Sequence, residues 1–334
     1  MSGGVTVGLD MGGTKVLGLA LDPEGAVLAE ERVLTPHRPG APLTDADVAE
    51  LVIDTLGTVA DRLRATVAGD VVAVGVGAPG LVDNSGVLRF APNLPGGAGL
   101  DVAGRLSARL HGLRTVVDND ATCATVGEWA FGAAAGATDA VLVTLGTGIG
   151  GGIIAAGHVV RGASGFAGEV GHMVVDPNGP PCTCGKRGCW ERFASGSGLG
   201  RLAREAAHAG RLDDVVRLAG GDAESVRGEH VTMAAKAGDP EALAVLEELG
   251  RWLALGLANL ALTLDPSVMV FGGGLVDTVT LVLDAVRAHF DDLMGGRASR
   301  PEVLIVPAEL GERAGAIGAA VVARLGDRYR ADAP

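Results

Sequence analysis

Apolar residues in this chain come mostly in short runs bounded by glycine, a pattern of buried strands rather than of long surface helices. Residues 5–10 and 16–21 are two such runs, separated by Met-Gly-Gly-Thr-Lys, and predict a pair of strands. Asp22-Pro-Glu-Gly25 turns the chain into a third strand over 26–34. Thr44-Asp45 caps an amphipathic helix reaching about residue 67. A buried strand over 71–76 ends in Gly77-Ala-Pro-Gly80, and a loop containing Asn93 leads to a helix over 100–110. The strand 113–117 stops at Asp118-Asn119-Asp120, where another helix begins.

The strand–glycine turn–strand arrangement then returns. Residues 140–145 form a strand, Gly146-Thr-Gly-Ile-Gly-Gly-Gly152 a turn, and 153–156 the next strand. After a loop over 168–191, most of 196–263 is helical, with breaks at Gly220-Gly221 and Asp239-Pro240. A strand over 267–271 enters Gly272-Gly-Gly274, followed by a helix over 278–292, a strand over 303–306 and a small-residue helix over 314–325. Two copies of one unit, with no coil-like linker between them, predict two related α/β lobes with a cleft.

Composition narrows this picture. A length of 334 residues exceeds one small core. Aromatics make up only 3%, so the core must be Val, Leu, Ile and Ala, as in buried sheets. A formal net charge of −13 repels the nucleic-acid backbone and anionic lipid, which excludes both as bulk partners. The most apolar run, 249–264, contains Arg251 and Asn259 and reads as a buried helix rather than a membrane span. The N-terminus runs into a strand without a charged and then apolar leader, so a cytoplasmic location is expected.

Four cysteines fit that reducing compartment, since three of them cluster at metal-binding spacing. Cys182, Cys184 and Cys189, with His172 ten residues upstream of the first, are a complete tetrahedral ligand set for a structural Zn²⁺. Saturation by four protein ligands leaves no open position for catalysis. Glu169 and Glu191 flank the set. Cys123, alone on a predicted helix, reads as a small core residue.

The glycine turns suit phosphate. In Asp10-Met-Gly-Gly-Thr-Lys15, Gly12 and Gly13 let the backbone approach closely, Thr14 offers a hydroxyl, Lys15 a cation, and Asp10 can hold the water shell of Mg²⁺. Gly146-Thr-Gly-Ile-Gly-Gly satisfies G-x-G-x-x-G, but a dinucleotide fold needs that loop to open a helix. The strand-forming Ile-Ile-Ala-Ala that follows makes it a second phosphate hairpin instead. Asp120, at a helix start where free N–H groups favour its ionised form, is a candidate base for a hydroxyl; the alternative is that Asp118 or Asp120 is only an N-cap. Asn93 and Asn119 are either readers of hydroxyls or turn residues.

These motifs together resemble the ROK family of bacterial sugar kinases and repressors, and within it the zinc-containing glucokinases. Asp10-x-Gly-Gly-Thr, Gly-Ala-Pro-Gly80, Asn119-Asp120, Leu-Gly-Thr-Gly-Ile-Gly-Gly-Gly152, Glu169-Val-Gly-His172, Cys182-x-Cys-Gly-x-x-Gly-Cys189-x-Glu191 and Gly272-Gly-Gly appear in the family's order along nearly the whole chain. The resemblance implies a two-lobed hexokinase/actin-like (ribonuclease H-like) α/β fold with ATP and sugar meeting in an interlobe cleft. It implies a small lobe of residues 1–117 plus a C-terminal helix at about 314–330, and a large lobe of 118–313 carrying the zinc loop 168–191.

The activity it implies is ATP-dependent phosphorylation of D-glucose on the 6-hydroxyl. Asp120 would be the base. Gly77, Asn93, Asn119, Glu169, His172 and Glu191 would hold the sugar. Asp10, Gly12, Gly13, Thr14 and Lys15 would face the phosphates from one lobe, and Gly146, Thr147 and Gly148 from the other. Gly272, Gly273 and Gly274 would border the adenosine, Mg²⁺ would accompany ATP, and His172, Cys182, Cys184 and Cys189 would bind zinc. Homodimers or homotetramers are usual in the family. Thr122 and the Leu-Pro-Gly-Gly following Asn93 depart from the common pattern, which leaves N-acetylmannosamine, N-acetylglucosamine or fructose as alternative sugars; polyphosphate is a lesser alternative donor, since Gly272–Gly274 favours a nucleotide. A sugar-sensing repressor is disfavoured, because it would need a basic helix-turn-helix ahead of Asp10 and the charge is acidic.

Overall fold

The fold is that of a computed structural model, which describes residues 4–35, 44–91, 94, 97–295 and 299–326. The chain divides into two compact units, Met1–Thr138 with Gly152–Gly168 and Glu309–Pro334, and Asp139–Gly151 with Glu169–Ala308. Residues 118–138 and 152–168 therefore lie with the first unit, whereas the sequence division began the second lobe at Asp118.

The first unit opens with β1 (Val5–Met11), β2 (Lys15–Leu21) and β3 (Val27–Leu34), followed by α1 (Asp45–Thr66). Thr44 and Asp47 form the capping box that starts α1. Next come β4 (Val71–Ala78), the short strands β5 (Leu81–Val82), β6 (Val87–Phe90) and β7 (Leu100–Asp101), then α2 (Val102–Arg109), β8 (Thr115–Asn119) and α3 (Asp120–Phe131). The sheet has the order β3-β2-β1-β4-β8. β1 is antiparallel to β2 and parallel to β4, which is parallel to β8. This register sets Asp10 opposite Gly77 and Gly77 opposite Asp118, a row across the carboxyl ends of three parallel strands. Such an edge is where open α/β sheets bind ligands. In the three-stranded sheet β5-β6-β7, the first two strands fall where the sequence predicts loop and β7 where it predicts the start of a helix. Its strands are two to four residues long and its tight turn rests on the Asp83 carboxylate, which accepts from Ser85 and Val87 N–H.

Past α3 the chain forms β9 (Ala140–Leu145), β10 (Ile149–Ala155) and β11 (His158–Val159). Strand β10 begins inside the glycine run, so only 146–148 are turn, and the expected turn through Gly152 is corrected. Glycine suits the strand there because a Cβ on Gly152 would lie 2.2 Å from Thr125 Oγ1 of α3. Residues 152–168 return to the first unit, and the second then carries α4 (Glu191–Ala194), α5 (Gly196–His208), α6 (Asp213–Leu218), α7 (Gly228–Lys236) and α8 (Pro240–Leu264). Strand β12 (Val268–Gly272) precedes α9 (Val276–Thr280), α10 (Leu283–Met294) and β13 (Leu304–Pro307). The single helix expected over 278–292 is broken near Val282, where β-branched residues crowd the sequence. The second sheet has the order β11-β10-β9-β12-β13, with β12 parallel to β9 and β13. Its core gathers Val141, Val143, Trp190, Leu253, Leu257 and Phe271, all nearly sealed from solvent.

The last helix, α11 (Ala314–Leu325), belongs to the first unit and lies directly on β1 and β4. Contact is this close because Gly8 and Gly75 face it. A Cβ on either would stand 1.8 Å from a carbonyl oxygen of α11. Among the described residues, no helix is long and apolar enough to cross a membrane.

Candidate active site

In the first unit the candidate base sits at a strand-to-helix corner. Asn119 is the N-cap of α3, its Oδ1 accepting from Thr122 N–H at 2.9 Å, so the capping role falls to Asn119 and not to either aspartate. Its amide nitrogen donates to Gly80 O at 3.0 Å, so both ends of the Asn119 side chain are engaged within the protein. Asp120 is the first residue of the helix, and its Oδ1 accepts from Ala121 N–H at 2.8 Å. Gly77 lies beneath it, where a Cβ would stand 3.4 Å from Asp120 Cα. Asp118 is buried and ion-paired with Arg161 at 2.7 Å.

The first glycine hairpin spans residues 12–14, between β1 and β2. Gly12 N–H donates to Lys15 O, and Thr35 ties the hairpin down through Gly12 O and Thr14 O. Gly13 faces open space. Lys15 is paired with Glu312, whose carboxyl is held well below the usual range by hydrogen bonds from Arg32 and from Lys15 itself.

Asp10 closes this side. Burial chiefly, and then the charge of Asp120, push its carboxyl up to about 7, while Lys15 pulls the other way. The folded state therefore holds the Asp10 proton more tightly than the unfolded chain, whose value is 3.8. Stability is greatest below that value and falls as pH rises towards 7, by an upper bound of about 4 kcal/mol. Asp10→Asn removes this slope. In thermal denaturation without nucleotide, the variant's midpoint should gain on the wild type between pH 5 and pH 8; a gap that narrows instead contradicts the assignment.

In the second unit, a 3₁₀ turn over Val170–His172 carries the histidine, and the loop 176–189 brings the cysteines to it. Val174 bridges Cys189 and Pro181 bridges Arg187, so the loop closes as a small β-like knuckle. His172 Nδ1 lies 3.7 Å from Cys182 Sγ, and Cys184 Sγ lies 3.6 Å from Cys189 Sγ. All four ligand atoms fall within 4.8 Å of one another. Tetrahedral Zn²⁺ with bonds of about 2.3 Å to sulfur places sulfurs about 3.8 Å apart, so this donor set fits the ion. Burial first, and then a hydrogen bond to Glu191, push the Cys182 thiol up to about 12. A divalent cation would displace that proton.

The two glutamates take different places beside the cluster. Glu169 Oε2 is 3.9 Å from His172 Nε2, so the imidazole presents Nδ1 to the sulfurs and its other nitrogen to Glu169. Burial raises the Glu169 carboxyl, His172 lowers it and Glu191 raises it again. Glu191 Oε1 accepts from the Cys182 thiol at 3.0 Å. Its other oxygen stands 2.6 Å from where a Cβ on Gly148 would be. Glu191 is thus shared between the Cys/His knuckle and the second glycine hairpin.

That hairpin, residues 146–148, holds Gly196 N–H on Gly146 O and Ser197 N–H on Thr147 O. Gly146, Thr147 and Gly274 line one cavity of about 910 Å³ within this unit. Gly272 ends β12, and Gly273 adopts φ of +86° beside Leu145, so these two position the turn rather than line the cavity. Sequence reading missed the cations of this cavity, Arg192, Arg204, Arg227 and Lys236, because they sit on or just before ordinary helices with no motif around them. Asn93 lies outside the described residues.

Each unit carries a glycine hairpin in place of a loop opening a helix, and the fold is that of the hexokinase-like kinases of the actin fold. The chain belongs to the ROK family, whose model matches residues 6–325. It is 39% identical over 324 residues to the glucokinase of Streptomyces coelicolor, spanning 96% of this chain and 98% of the relative. A crystal structure of a ROK family glucokinase from Streptomyces griseus, in complex with glucose and AMPPNP, superposes with a TM-score of 0.81 at 40% identity, over 97% of this chain and all of that one. The ROK hexokinase of Thermus thermophilus gives a TM-score of 0.77 at 32% identity, over 97% of this chain and 99% of that one.

Proposed function

We propose that this protein is an ATP-dependent glucokinase that transfers the γ-phosphoryl group to the 6-hydroxyl of D-glucose. Near-full-length identity of 39% to a glucokinase is the observation that carries the reading. The arrangement of each unit supplies its chemistry. Asp120 accepts the proton of the sugar 6-hydroxyl as the new O–P bond forms and the bond to the β-phosphate oxygen breaks, releasing ADP. Glu169, His172 and Glu191 pair with the remaining hydroxyls, together with Asn93, Asn119 and the backbone near Gly77.

The glycine hairpins serve the donor. Asp10, Gly12, Gly13, Thr14 and Lys15 serve its phosphates from the first unit, and Gly146, Thr147 and Gly148 from the second. The second-unit cavity, bordered by the turn at Gly272–Gly274, takes the nucleoside. Mg²⁺ accompanying ATP offsets the triphosphate charge in an acidic protein. His172, Cys182, Cys184 and Cys189 hold a structural Zn²⁺ that ties the sugar-reading loop.

Sites built to pair with a hydroxyl reject analogues lacking it by about 10⁴–10⁵ in kcat/KM. A coupled ADP-release assay over glucose, fructose, N-acetylglucosamine and N-acetylmannosamine should therefore rank glucose first, and ATP should outperform polyphosphate when glucose 6-phosphate is followed directly. Preference for an N-acetylated sugar would transfer the assignment to another hexose.

A further inference from the structure

The buried ion pair behind the candidate base is not accounted for by substrate contacts. Asp118 is 1% and Arg161 8% exposed. Arg161 Nε donates to Asp118 Oδ2 at 2.7 Å, and Asp118 Oδ1 accepts from Asn119 N–H at 2.8 Å. The guanidinium therefore grips the last turn of β8 at the residue that precedes the N-cap of α3. Its Nη1 donates to Asn84 Oδ1 at 2.8 Å, and Asn84 in turn donates to Ala163 O at 3.0 Å. Ala167 N–H closes back on Arg161 O at 3.0 Å. One side chain thus fastens together the β8–α3 corner, the turn between β5 and β6, and the loop 161–167.

We propose that Arg161 is a positioning residue for phosphoryl transfer, acting through Asp118 to fix the corner that carries Asp120. The proposal rests on Asp120 being the base. A fixed fork is the suitable tool. Arg presents several donors in one plane, so it can hold Asp118 and Asn84 at once, which a flexible ammonium cannot do with the same geometry. The charge matters as well. Asp10 feels the charges of Asp120 and Lys15, and the buried Cys123 of α3 lies among Asp118, Asp10, Asp120 and Arg161. Three carboxylates crowd this corner, and Arg161 is their fully internal cation.

Burial explains why a simple deletion is a poor test. Removing one partner of a sealed ion pair strands the other charge, whereas removing both is far better tolerated. The experiment compares Arg161→Met, Arg161→Lys, the double variant Asp118→Asn/Arg161→Met and Asp120→Asn in the full-length protein. Each is assayed for thermal midpoint, kcat, both KM values and the pH profile of kcat. A displaced base should lower kcat about 10–100-fold with both KM values within about threefold of wild type. The acidic limb of kcat should move to higher pH, because a cation beside the carboxylates is lost. Arg161→Lys should restore the limb but only part of kcat. The double variant should stay folded at the assay temperature and still show the kcat loss. Normal kcat in the folded double variant would overturn the proposal, as would a loss in Arg161→Met that matches its unfolded fraction with the limb unmoved. If Asp120→Asn were itself active, the base assignment would fall and this proposal with it. An inactive Asp120→Asn beside an unaffected Arg161→Met overturns the positioning role alone.

Discussion

Asp120→Asn should bind glucose about as well as the wild type and lose turnover by about 10²–10⁴-fold, the range contributed by a general base. The fold should survive the change. Asn119, not Asp120, caps α3, and the Oδ1 that accepts from Ala121 N–H exists in asparagine too. The substitution removes only the capacity to take a proton and the negative charge, the latter beside Asp10. Losing that charge should also ease ionisation of Asp10. Asp118 cannot substitute as base, since its two oxygens are spent on Arg161 and Asn119 N–H. Isothermal titration with glucose and steady-state kinetics separate the two properties. Turnover within tenfold of wild type would remove Asp120 as the base.

What sequence reading captured here was local in the chain. Cys182-x-Cys-Gly-x-x-Gly-Cys189 brings its own turn, because the glycines at 185 and 188 take positive φ and fold the thiols back on each other. Glycine hairpins between apolar runs were equally readable. Contacts made across long separations left no pattern. Arg161 lies 43 residues from Asp118 and 77 from Asn84, and as one more arginine after a short strand it has no local signal. The cavity cations sit on α4, α5 and α7 or just before α7, where no motif surrounds them. Asn119 was ambiguous for a different reason: cap and hydroxyl reader use the same amide, and only the Thr122 N–H at 2.9 Å shows that the cap is formed.

The structure also changes what a metal in the knuckle would control. Glu191 follows Trp190, which is fully buried and donates its indole N–H to Trp252 O at 2.7 Å, while Phe193 stacks on Trp252 at 4.1 Å. Packing therefore anchors the backbone at Glu191, whose carboxylate also accepts from the Cys182 thiol. Glu169 and His172 have no such support, with side chains 42% and 31% exposed on a single 3₁₀ turn.

Cys184→Ala should accordingly release the metal and raise the glucose KM at least tenfold, with the ATP KM within about threefold of wild type. Structural zinc contributes an apparent 10–16 kcal/mol of folding free energy in isolated peptides, ample to hold a loop of this length. Cys184 is exposed, so its truncation opens no core cavity, and the effect should come from the lost ligand rather than from packing. Cys123→Ala, at a buried thiol away from the knuckle sequence, should keep its metal and serves as the control. The two glutamates should respond differently. In the metal-free background Glu191→Gln should still cost activity, because the packing of Trp190 holds the backbone that carries that carboxylate. Glu169→Gln should add little once the turn bearing it is loose, a coupling that a double-mutant cycle measures. Metal content by elemental analysis, read beside the two KM values, decides the matter: loss of zinc with glucose KM unchanged would show that the knuckle stabilises the unit without setting how the sugar is read.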